Sequence, residues 1–525
     1  MRRLLVFTIC MLGSVSISLA QHKESPAQKL LMSEYLINKF YVDSLDEHRL
    51  IEAGIKGMLS TLDPHSTYSS AEEVKEFEEL MKGSFGGIGI RYQIIKDTLR
   101  VIQVIPSGPA DKAGLLSGDR ILAVNQDTLV GVNVSTRTAV NTLRGPKGSR
   151  LTLKILRPGI PKSFNRIITR KKISTESIQA SYLITPQVGY IRLRQFSKGV
   201  SKELKKAIKT LVKAGVNGLI LDLRGNSGGL LDEAIAVSNQ FLKAEQRIVY
   251  TLGKEGKSSS FYASGDGLYQ QGKLVVLLDA YSASASEIVA GAIQDWDRGV
   301  IIGRRSFGKG LVQRPLPLLD GSVIRLTIAR YHTPSGRCIQ KPYTNGLIKK
   351  KDYQEELLRR VEHGESISAD SIQTIDSLRY ATLLKSRPVY AGGGIIPDVF
   401  VSFSDSIYKN PLYQVTQLNG YLYQAIEGFM RMNKELIETQ YTPSSFALNY
   451  SIDSSLLEQI YQLALRDDST INKEMLLYCS PLLTRDLKAL IAQIIWGEEA
   501  LFKVLNQSDS DVLRALDVLA NLLLN

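Results

Sequence analysis

Between about residues 173 and 310, apolar runs of strand length alternate with segments of helical periodicity. The runs VGYIRLRQF, NGLILDL, KLVVLLD and RGVIIG are candidates for buried strands, and amphipathic or capped helical segments lie between them. Strands that alternate with helices in this way are typical of layered domains built on a parallel sheet. The pattern therefore predicts an α/β core whose sheet is mainly parallel.

The chain has 525 residues, which is too long for one ordinary domain, and its residue pattern changes several times. Helical spacing precedes Gly83, short β runs with two helical segments follow it, and the residues after 405 are mostly helical in pattern. A charged stretch interrupts the α/β core. We predict a signal peptide at 1–20, an N-terminal helical region at 21–82, a compact β-rich domain at 83–160, the α/β core at 173–402 with an insertion at 345–385, and a C-terminal helical extension at 405–525.

The first twenty residues, MRRLLVFTICMLGSVSISLA, pair Arg2 and Arg3 with an apolar stretch that ends in small residues. This pattern is typical of a secretory signal that is cleaved after Ala20. A retained membrane anchor is the alternative, which the shortness of the apolar run disfavours. No later stretch has the uninterrupted apolar length of a membrane span. We therefore expect a soluble exported protein, periplasmic or otherwise secreted.

Charge and cysteine content argue against several other classes of protein. The net charge is +13, and residues 137–172 hold eleven basic residues and no acidic one. Export and the absence of a recognition motif favour a solvated basic face over a nucleic-acid site. Cys338 and Cys479 are too few for a disulfide scaffold, and their positions do not indicate whether they pair. No close cluster of His, Cys and Asp predicts a metal site, and no cofactor is predicted.

The segment DAYSASASEIVAGA, residues 279–292, places three serines at alternate positions before a glutamate. Its residues Ser284 to Glu287 fit a capping box that opens a helix. The same strand-to-helix turn would also expose Ser284 as a nucleophile, and the Ala285 N–H could stabilise an oxyanion. Gly228 and Gly229, in the turn RGNSGG, allow close approach and offer a second donor. From these residues alone, both the capping and the nucleophile hypothesis stay open.

A serine nucleophile needs a base, and none of the five histidines has a recognisable setting. His332, the nearest one downstream, lies in a probable turn. Lys309, in the segment SFGKG, is the alternative, because its flanking glycines leave room for the amine to point inward. Burial would lower the pKa of such an amine, and Gln313 could hold it by a hydrogen bond. Serine–lysine pairs are a known variant of the catalytic triad.

Two other motifs overlap the segment around Lys309. GRRSFGK matches a phosphate-binding loop, but Gly310 stands where the Ser or Thr is needed, and no helix follows. Ser306 and Lys309 also match the S-x-x-K pair of penicillin-interacting enzymes. Gly308 and Gly310 disfavour the helical turn that this pair requires, and its partner motifs are absent from the sequence.

Taken together, the segments resemble the C-terminal processing peptidases, also called tail-specific proteases. These are secreted serine endopeptidases with a Ser/Lys dyad and a PDZ domain. The matching stretches occur in the family's order over about residues 30 to 402. They are LDPHSTY at 62–68, GGIGI at 86–90, SGPA to AG at 107–114, LDLRGNSGG at 221–229, SASASEIVAGA at 282–292, FGKG at 307–310, TPSGR at 333–337 and GGGIIPD at 392–398.

The resemblance implies a multidomain fold of α/β plus α+β type: a crotonase-like α/β serine peptidase core, a PDZ domain at 83–160, and helical regions at both ends. It implies that Ser284 is the nucleophile, Lys309 the base and Gln313 the partner of the base. The oxyanion donors it implies are the Ala285 N–H and one of Gly228 and Gly229. Ser282 and Ser286 would then be packing or capping residues. The insertion at 345–385 and the long helical tail depart from the family pattern.

The PDZ resemblance implies a substrate class. A loop of this type directs backbone N–H groups at a terminal carboxylate, and the adjoining strand, predicted at Ile88 to Tyr92, accepts the peptide as an added strand. The residues concerned are Gly86, Gly87, Ile88, Gly89 and Ile90. The predicted partners are C-terminal tails of exported or unfolded proteins, and a homo-oligomer or an adaptor is compatible with the sequence. The other hypotheses are a catalytically silent PDZ scaffold that holds such tails and a non-peptidase acyl enzyme on a crotonase-like core.

Overall fold

The computed structural model describes residues 25–95, 98–130, 135–343, 347–404 and 406–524. These ranges contain 16 α-helices and 21 β-strands. The predicted signal peptide at 1–20 lies outside the described residues. In the ranges given, none of the helices has the length and apolar character needed to span a bilayer.

The N-terminal region consists of helices that begin at side-chain caps. Its elements are α1 (Pro26–Phe40), α2 (Glu47–Ser60), β1 (Thr67–Ser69) and α3 (Ala71–Met81). The side chains of Ser25, Asp46 and Ser70 each accept a backbone N–H of the first turn, which satisfies a donor that has no partner within the helix. Because β1 pairs with residues 323–325, this region is attached to the α/β core.

The next region is a β-rich domain with its own apolar core. Its elements are β2 (Ser84–Gly87), β3 (Ile90–Ile95), β4 (Thr98–Val104), α4 (Pro109–Lys112), β5 (Arg120–Val124), β6 (Asp127–Thr128), α5 (Thr136–Leu143), β7 (Arg150–Leu156), β8 (Phe164–Thr169) and β9 (Lys171–Ser174). The main sheet has the order β3-β4-β5-β7-β8, and β2 pairs separately with β9. Alternate residues of β7, including Leu151, Leu153 and Ile155, are buried in the domain core.

Two boundaries in this domain differ from the sequence prediction. The sheet continues to Thr169, beyond the predicted end at residue 160, because β8 pairs antiparallel with β7 along its whole length. The strand predicted at Ile88 to Tyr92 begins only at Ile90. Gly89 has φ +79°, which interrupts extended backbone at that point.

The α/β core contains most of the remaining strands. Its elements are β10 (Ile178–Thr185), β11 (Val188–Leu193), α6 (Val200–Lys213), β12 (Gly218–Asp222), α7 (Leu231–Ser238), β13 (Arg247–Gly253), β14 (Ser258–Tyr262), β15 (Lys273–Leu278), α8 (Ala285–Asp295), β16 (Val300–Gly303), β17 (Leu311–Pro317), β18 (Val323–His332), α9 (Leu347–Glu362), β19 (Arg379–Ala381), β20 (Pro388–Tyr390) and β21 (Val399–Phe400). The central sheet has the order β10-β11-β12-β15-β16-β21 and is parallel from β11 to β21. The predicted parallel core is confirmed.

The α/β core also contains a second sheet, of order β1-β18-β13-β14, in which β17 pairs with β18. Asp320 and Gly321 lie in the turn that joins β17 to β18 as an antiparallel hairpin, and Gly321 has φ +83°. The lysine segment therefore leads directly from the parallel sheet into this antiparallel hairpin.

The C-terminal extension is helical, as predicted, and its last helix returns to the core. Its elements are α10 (Pro411–Asn419), α11 (Tyr421–Gln440), α12 (Pro443–Asn449), α13 (Ser454–Asp467), α14 (Lys473–Trp496), α15 (Glu498–Leu505) and α16 (Ser510–Leu524). One face of the parallel sheet packs against α6, α7 and α8. The opposite face, which includes Ile220 and Val275, packs against Val512 and Leu519 of α16. The extension is thus part of the packing of the central sheet.

Candidate active site

Ser284 lies at the turn between β15 and α8, in a backbone conformation that is rare for a residue with a side chain. Its φ is 54° and its ψ is −111°. The Glu287 carboxylate accepts the Ser284 N–H at 2.8 Å, which is the glutamate half of the predicted capping box. Tyr331 donates its hydroxyl to the Ser284 carbonyl at 3.1 Å. Strained backbone of this kind persists where surrounding contacts hold it, and it is concentrated at active sites.

Ser282 and Ser286 bind the loop that follows β12. The Ser282 hydroxyl donates to the carbonyl of Leu223 at 2.9 Å, and the Ser286 hydroxyl donates to the carbonyl of Asn226 at 2.8 Å. Both serines are fully buried. Packing or capping was the role predicted for them. The two hydrogen bonds add a further role, which is to attach the serine turn to the glycine turn.

The glycine turn contacts the serine turn closely. A Cβ at Gly228, whose φ is +105°, would lie 2.8 Å from the Cβ of Ser284 and 3.0 Å from the amide nitrogen of Ala285. The Gly228 N–H donates to the Asn226 side chain at 2.9 Å. Among the described residues, the N–H groups of Gly229 and Ala285 have no hydrogen-bond acceptor. Of the two glycines, Gly229 is therefore the better candidate for an oxyanion donor.

Lys309 lies in the loop between β16 and β17, and its amine donates to the Gln313 carbonyl oxygen at 2.9 Å. The Gln313 amide in turn donates to the backbone carbonyl of His65, in the segment LDPHSTY. Burial lowers the pKa of Lys309, and the positive charge of Arg325 lowers it further, while the carboxylate of Glu287 acts in the opposite direction. The net effect is a lowered pKa, which favours the neutral amine that a general base requires.

Glu287 connects the serine turn to the lysine loop, a role that its capping-box position did not indicate. Its carboxylate is fully buried and accepts the hydroxyl of Ser306 at 2.5 Å and the N–H groups of Gly308 and Lys309 at 2.6 and 2.9 Å. Tyr331 makes a second connection, since its hydroxyl contacts the carbonyls of both Ser284 and Lys309. In the sequence, Glu287 stands directly before the apolar run IVAGA, and this position was the signal that its carboxylate would be buried.

The predicted catalytic residues line one cavity of about 570 Å³. The lining includes Ser284, Ala285, Lys309, Gln313, Gly228 and Gly229. Apolar side chains form much of the remaining wall: Val74, Phe77, Met81, Leu230, Leu231, Ile288, Val312 and Val323. In this conformation, no hydrogen bond among the described residues joins the Ser284 hydroxyl to the Lys309 amine. Catalytic hydrogen bonds often form only once substrate is bound.

The described histidines contribute no side chain to this cavity. His332 is the last residue of β18, where its ring stacks on Tyr250 and its Nδ1 contacts the Gly336 carbonyl at 2.9 Å. The ring of His65 contacts the hydroxyl of Tyr353 at 2.8 Å. Lysine is therefore the base that the geometry favours.

The glycine segment of the β-rich domain is partly strand. Gly86 and Gly87 belong to β2 and pair with Lys172 and Lys171 of β9, so they are not in the open loop that the sequence suggested. Ile88, which is 2% exposed, packs in the domain core. Among the described residues, the N–H groups of Ile88 and Gly89 have no acceptor, which leaves two adjacent donors immediately before β3. Ile90 begins β3 and pairs with Val104.

Family models match four parts of the chain. The model described as peptidase family S41 matches residues 187–348, and the PDZ domain model matches residues 86–167. The N-terminal domain of the activating protease CtpB matches residues 15–73, and a family of unknown function matches residues 412–497.

Proteins of similar sequence are described as carboxy-terminal processing proteases. The chain is 42% identical over 305 residues to a carboxy-terminal-processing protease of Bartonella bacilliformis, a match that covers 57% of this chain and 69% of the relative. It is 36% identical over 368 residues to the carboxyl-terminal-processing protease of Synechocystis, covering 64% and 83% of the two chains. The solved photosystem II D1 C-terminal processing protease matches with a TM-score of 0.36 and 30% identity, covering 60% of this chain and 84% of that one. The chain therefore belongs to the carboxy-terminal processing proteases, serine peptidases of family S41 that carry a PDZ domain.

Proposed function

We propose that this protein is an exported endopeptidase that captures the C-terminal tail of a substrate protein through its PDZ domain and cleaves it with a Ser284/Lys309 dyad. The observation that carries the proposal is the shared cavity, in which the serine, the lysine and Gln313 lie together. Export is inferred from the N-terminal residues, where Arg2 and Arg3 precede an apolar stretch.

In the proposed mechanism, the neutral amine of Lys309 accepts the proton of the Ser284 hydroxyl as the oxygen attacks the scissile carbonyl carbon. The N–H groups of Ala285 and Gly229 stabilise the negative charge that develops on the carbonyl oxygen. The ammonium of Lys309 then donates its proton to the leaving amine, and a covalent acyl ester remains on Ser284. Water hydrolyses this ester with Lys309 again acting as the base, while Gln313 keeps the amine oriented.

The lysine mechanism predicts that Arg325 affects the pH dependence of the reaction. Arg325 lowers the pKa of Lys309, so Arg325→Met is expected to raise that pKa. The base acts only when neutral, and activity therefore rises as the pH passes through its pKa. We expect the ascending limb of kcat/KM to move to higher pH in Arg325→Met, with activity recovering at alkaline pH. Rates measured across the pH range test this.

Arg325→Lys is the matched control for the pH experiment, because it keeps the charge near Lys309. Arg325 also stacks on Phe77, with its guanidinium 4.2 Å from the ring centre, and neither variant keeps the planar guanidinium of that contact. The limb should therefore stay near its wild-type position in Arg325→Lys. An unchanged limb in Arg325→Met would contradict the proposed role of the lysine as the base.

Tail capture predicts that the substrate needs a free C-terminal carboxylate. Two peptides of identical sequence, one with a free and one with an amidated C terminus, should differ in KM by about 10- to 100-fold, the equivalent of hydrogen bonds to a charged group. The donors proposed are the N–H groups of Ile88 and Gly89. The value of kcat should be similar for both peptides, because the dyad is unchanged. Equal kcat/KM for the two peptides would contradict carboxylate capture.

A further inference from the structure

The last helix of the C-terminal extension carries a carboxylate that contacts two loops of the active site. Asp511, in the first turn of α16, is only 2% exposed. Its two oxygens accept hydrogen bonds from Nη1 and Nη2 of Arg304, both at 2.9 Å. The same carboxylate accepts Nη1 of Arg224 at 2.8 Å. One buried side chain of the extension thus binds two arginines of the core.

Arg224 begins the loop that leads from β12 to the glycine turn. Its guanidinium is held on two sides, since Nη2 donates to Asp222 at 2.7 Å and Nη1 donates to Asp509 at 2.9 Å. Arg192 donates to the Arg224 carbonyl at 3.1 Å and to Asp222 at 2.7 Å. The start of the loop that carries Gly229 is therefore fixed by a network that includes two carboxylates of the extension.

Arg304 follows β16 and stands five residues before Lys309. Its backbone N–H donates to the Leu278 carbonyl at 3.1 Å, at the end of the strand that leads to Ser284. Its side chain also donates to the Val401 carbonyl at 3.3 Å. Asp511 therefore contacts the loop of the proposed base as well as the loop of the proposed oxyanion donor.

We propose that Asp511 is a positioning residue that holds the glycine turn and the lysine loop in their relative places through Arg224 and Arg304. The inference depends on the proposed function, since it assigns the part that the extension plays in that chemistry. Bidentate arginine–carboxylate pairs fix geometry, and a buried arginine that loses its partner leaves an uncompensated charge. A displacement of about 1 Å in catalytic groups can lower a rate by about 100-fold.

The test compares Asp511→Asn with wild type in the full-length mature chain. We expect kcat for a tail-bearing peptide to fall by about 10- to 100-fold, with KM changed by less than about threefold, because the PDZ domain and its donors are not altered. The inactivation rate with a fluorophosphonate, which loses fluoride when the Ser284 oxygen attacks phosphorus, should fall by a similar factor. Circular dichroism defines a temperature at which each variant is folded. Arg304→Gln should lower kcat and the inactivation rate in the same way, with little change in KM. If Asp511→Asn does not fold, the results for Arg304→Gln test the positioning role.

Asp486→Asn is the control for a loss of stability in the extension. Asp486 is a partly buried carboxylate of α14 that binds Tyr413 at 2.7 Å and Arg485 at 2.8 Å. This variant should lower the melting temperature and leave kcat unchanged. If folded Asp511→Asn or Arg304→Gln keeps the wild-type kcat while Ser284→Ala is inactive, the positioning role is wrong and the proposed function stands. If Ser284→Ala retains full activity, the proposed function is wrong and the positioning role fails with it.

Discussion

Ser284→Ala and Lys309→Met are each expected to lower kcat for peptide cleavage by at least about 10⁴-fold. The first variant removes the oxygen that would form the acyl ester. The second removes the only amine among the residues that line the described cavity, and the methionine cannot accept a proton. Residual activity would come from the oxyanion donors alone. The measurement is the appearance of new amino termini when an unstructured protein with a free C terminus is incubated with each full-length variant.

Variants of the same residue types elsewhere control for this result. Ser259→Ala and Lys257→Met alter exposed residues in and next to β14 and should cleave as wild type does. Lys309→Arg should be as inactive as Lys309→Met, because a guanidinium stays protonated and cannot act as the base. Full activity in Ser284→Ala or Lys309→Met would disprove the dyad. A wild-type protein that binds tails without cleaving them would support the silent scaffold.

Local sequence patterns predicted the turns that carry Ser284 and Lys309, the residues of the proposed dyad. The glycines around Lys309 predicted room for the amine to point inward, and the hydrogen bond predicted between Lys309 and Gln313 is present. The family resemblance then selected Ser284 from the three alternate serines. These features depend on residues a few positions apart, where spacing determines contact.

Contacts between distant segments were not predictable in the same way. The sequence indicated Glu287 as a helix cap, but three of its hydrogen bonds come from residues 306 to 309, which the fold brings to it. The covering of the parallel sheet by α16 was also missed. All five residues of β12 are buried, so both faces of the strand need a cover, and the core helices lie on only one of them. Because one face of β12 has no core helix to cover it, the C-terminal extension could have been assigned to that face.

The end of the β-rich domain was missed for a different reason. Five of the six residues of β8 are partly or fully exposed, and Ile168 alone is buried. An edge strand of this kind lacks the regular alternation that indicates a half-buried strand. The turn at Pro158-Gly159 therefore looked like the end of the domain, although the chain pairs once more with β7.

Gly228→Ala is expected to lower kcat by about 100-fold or more, because the N–H of Gly229, the proposed oxyanion donor, would be displaced. The new methyl group would lie 2.8 Å from the Cβ of Ser284 and 2.9 Å from the carbonyl oxygen of Ala283, distances that side-chain carbons do not tolerate. The φ of +105° is a second source of strain. The glycine turn must then move away from the serine, and the Gly229 N–H moves with it.

Gly225→Ala separates the two effects, because it lies in the same loop with a φ of +70° but has room for a methyl group. Within the part of the chain that the structure describes, the only atom within 4.0 Å of its Cβ would be Nη2 of Arg192. This variant therefore introduces the backbone strain without the contact with Ser284, and it should keep most of the wild-type kcat. KM should stay similar in both variants, since the PDZ donors are distant in sequence from this loop and are unchanged. If steady-state rates of Gly228→Ala come within about threefold of Gly225→Ala, backbone strain alone explains the loss, and the glycine turn does not supply an oxyanion donor.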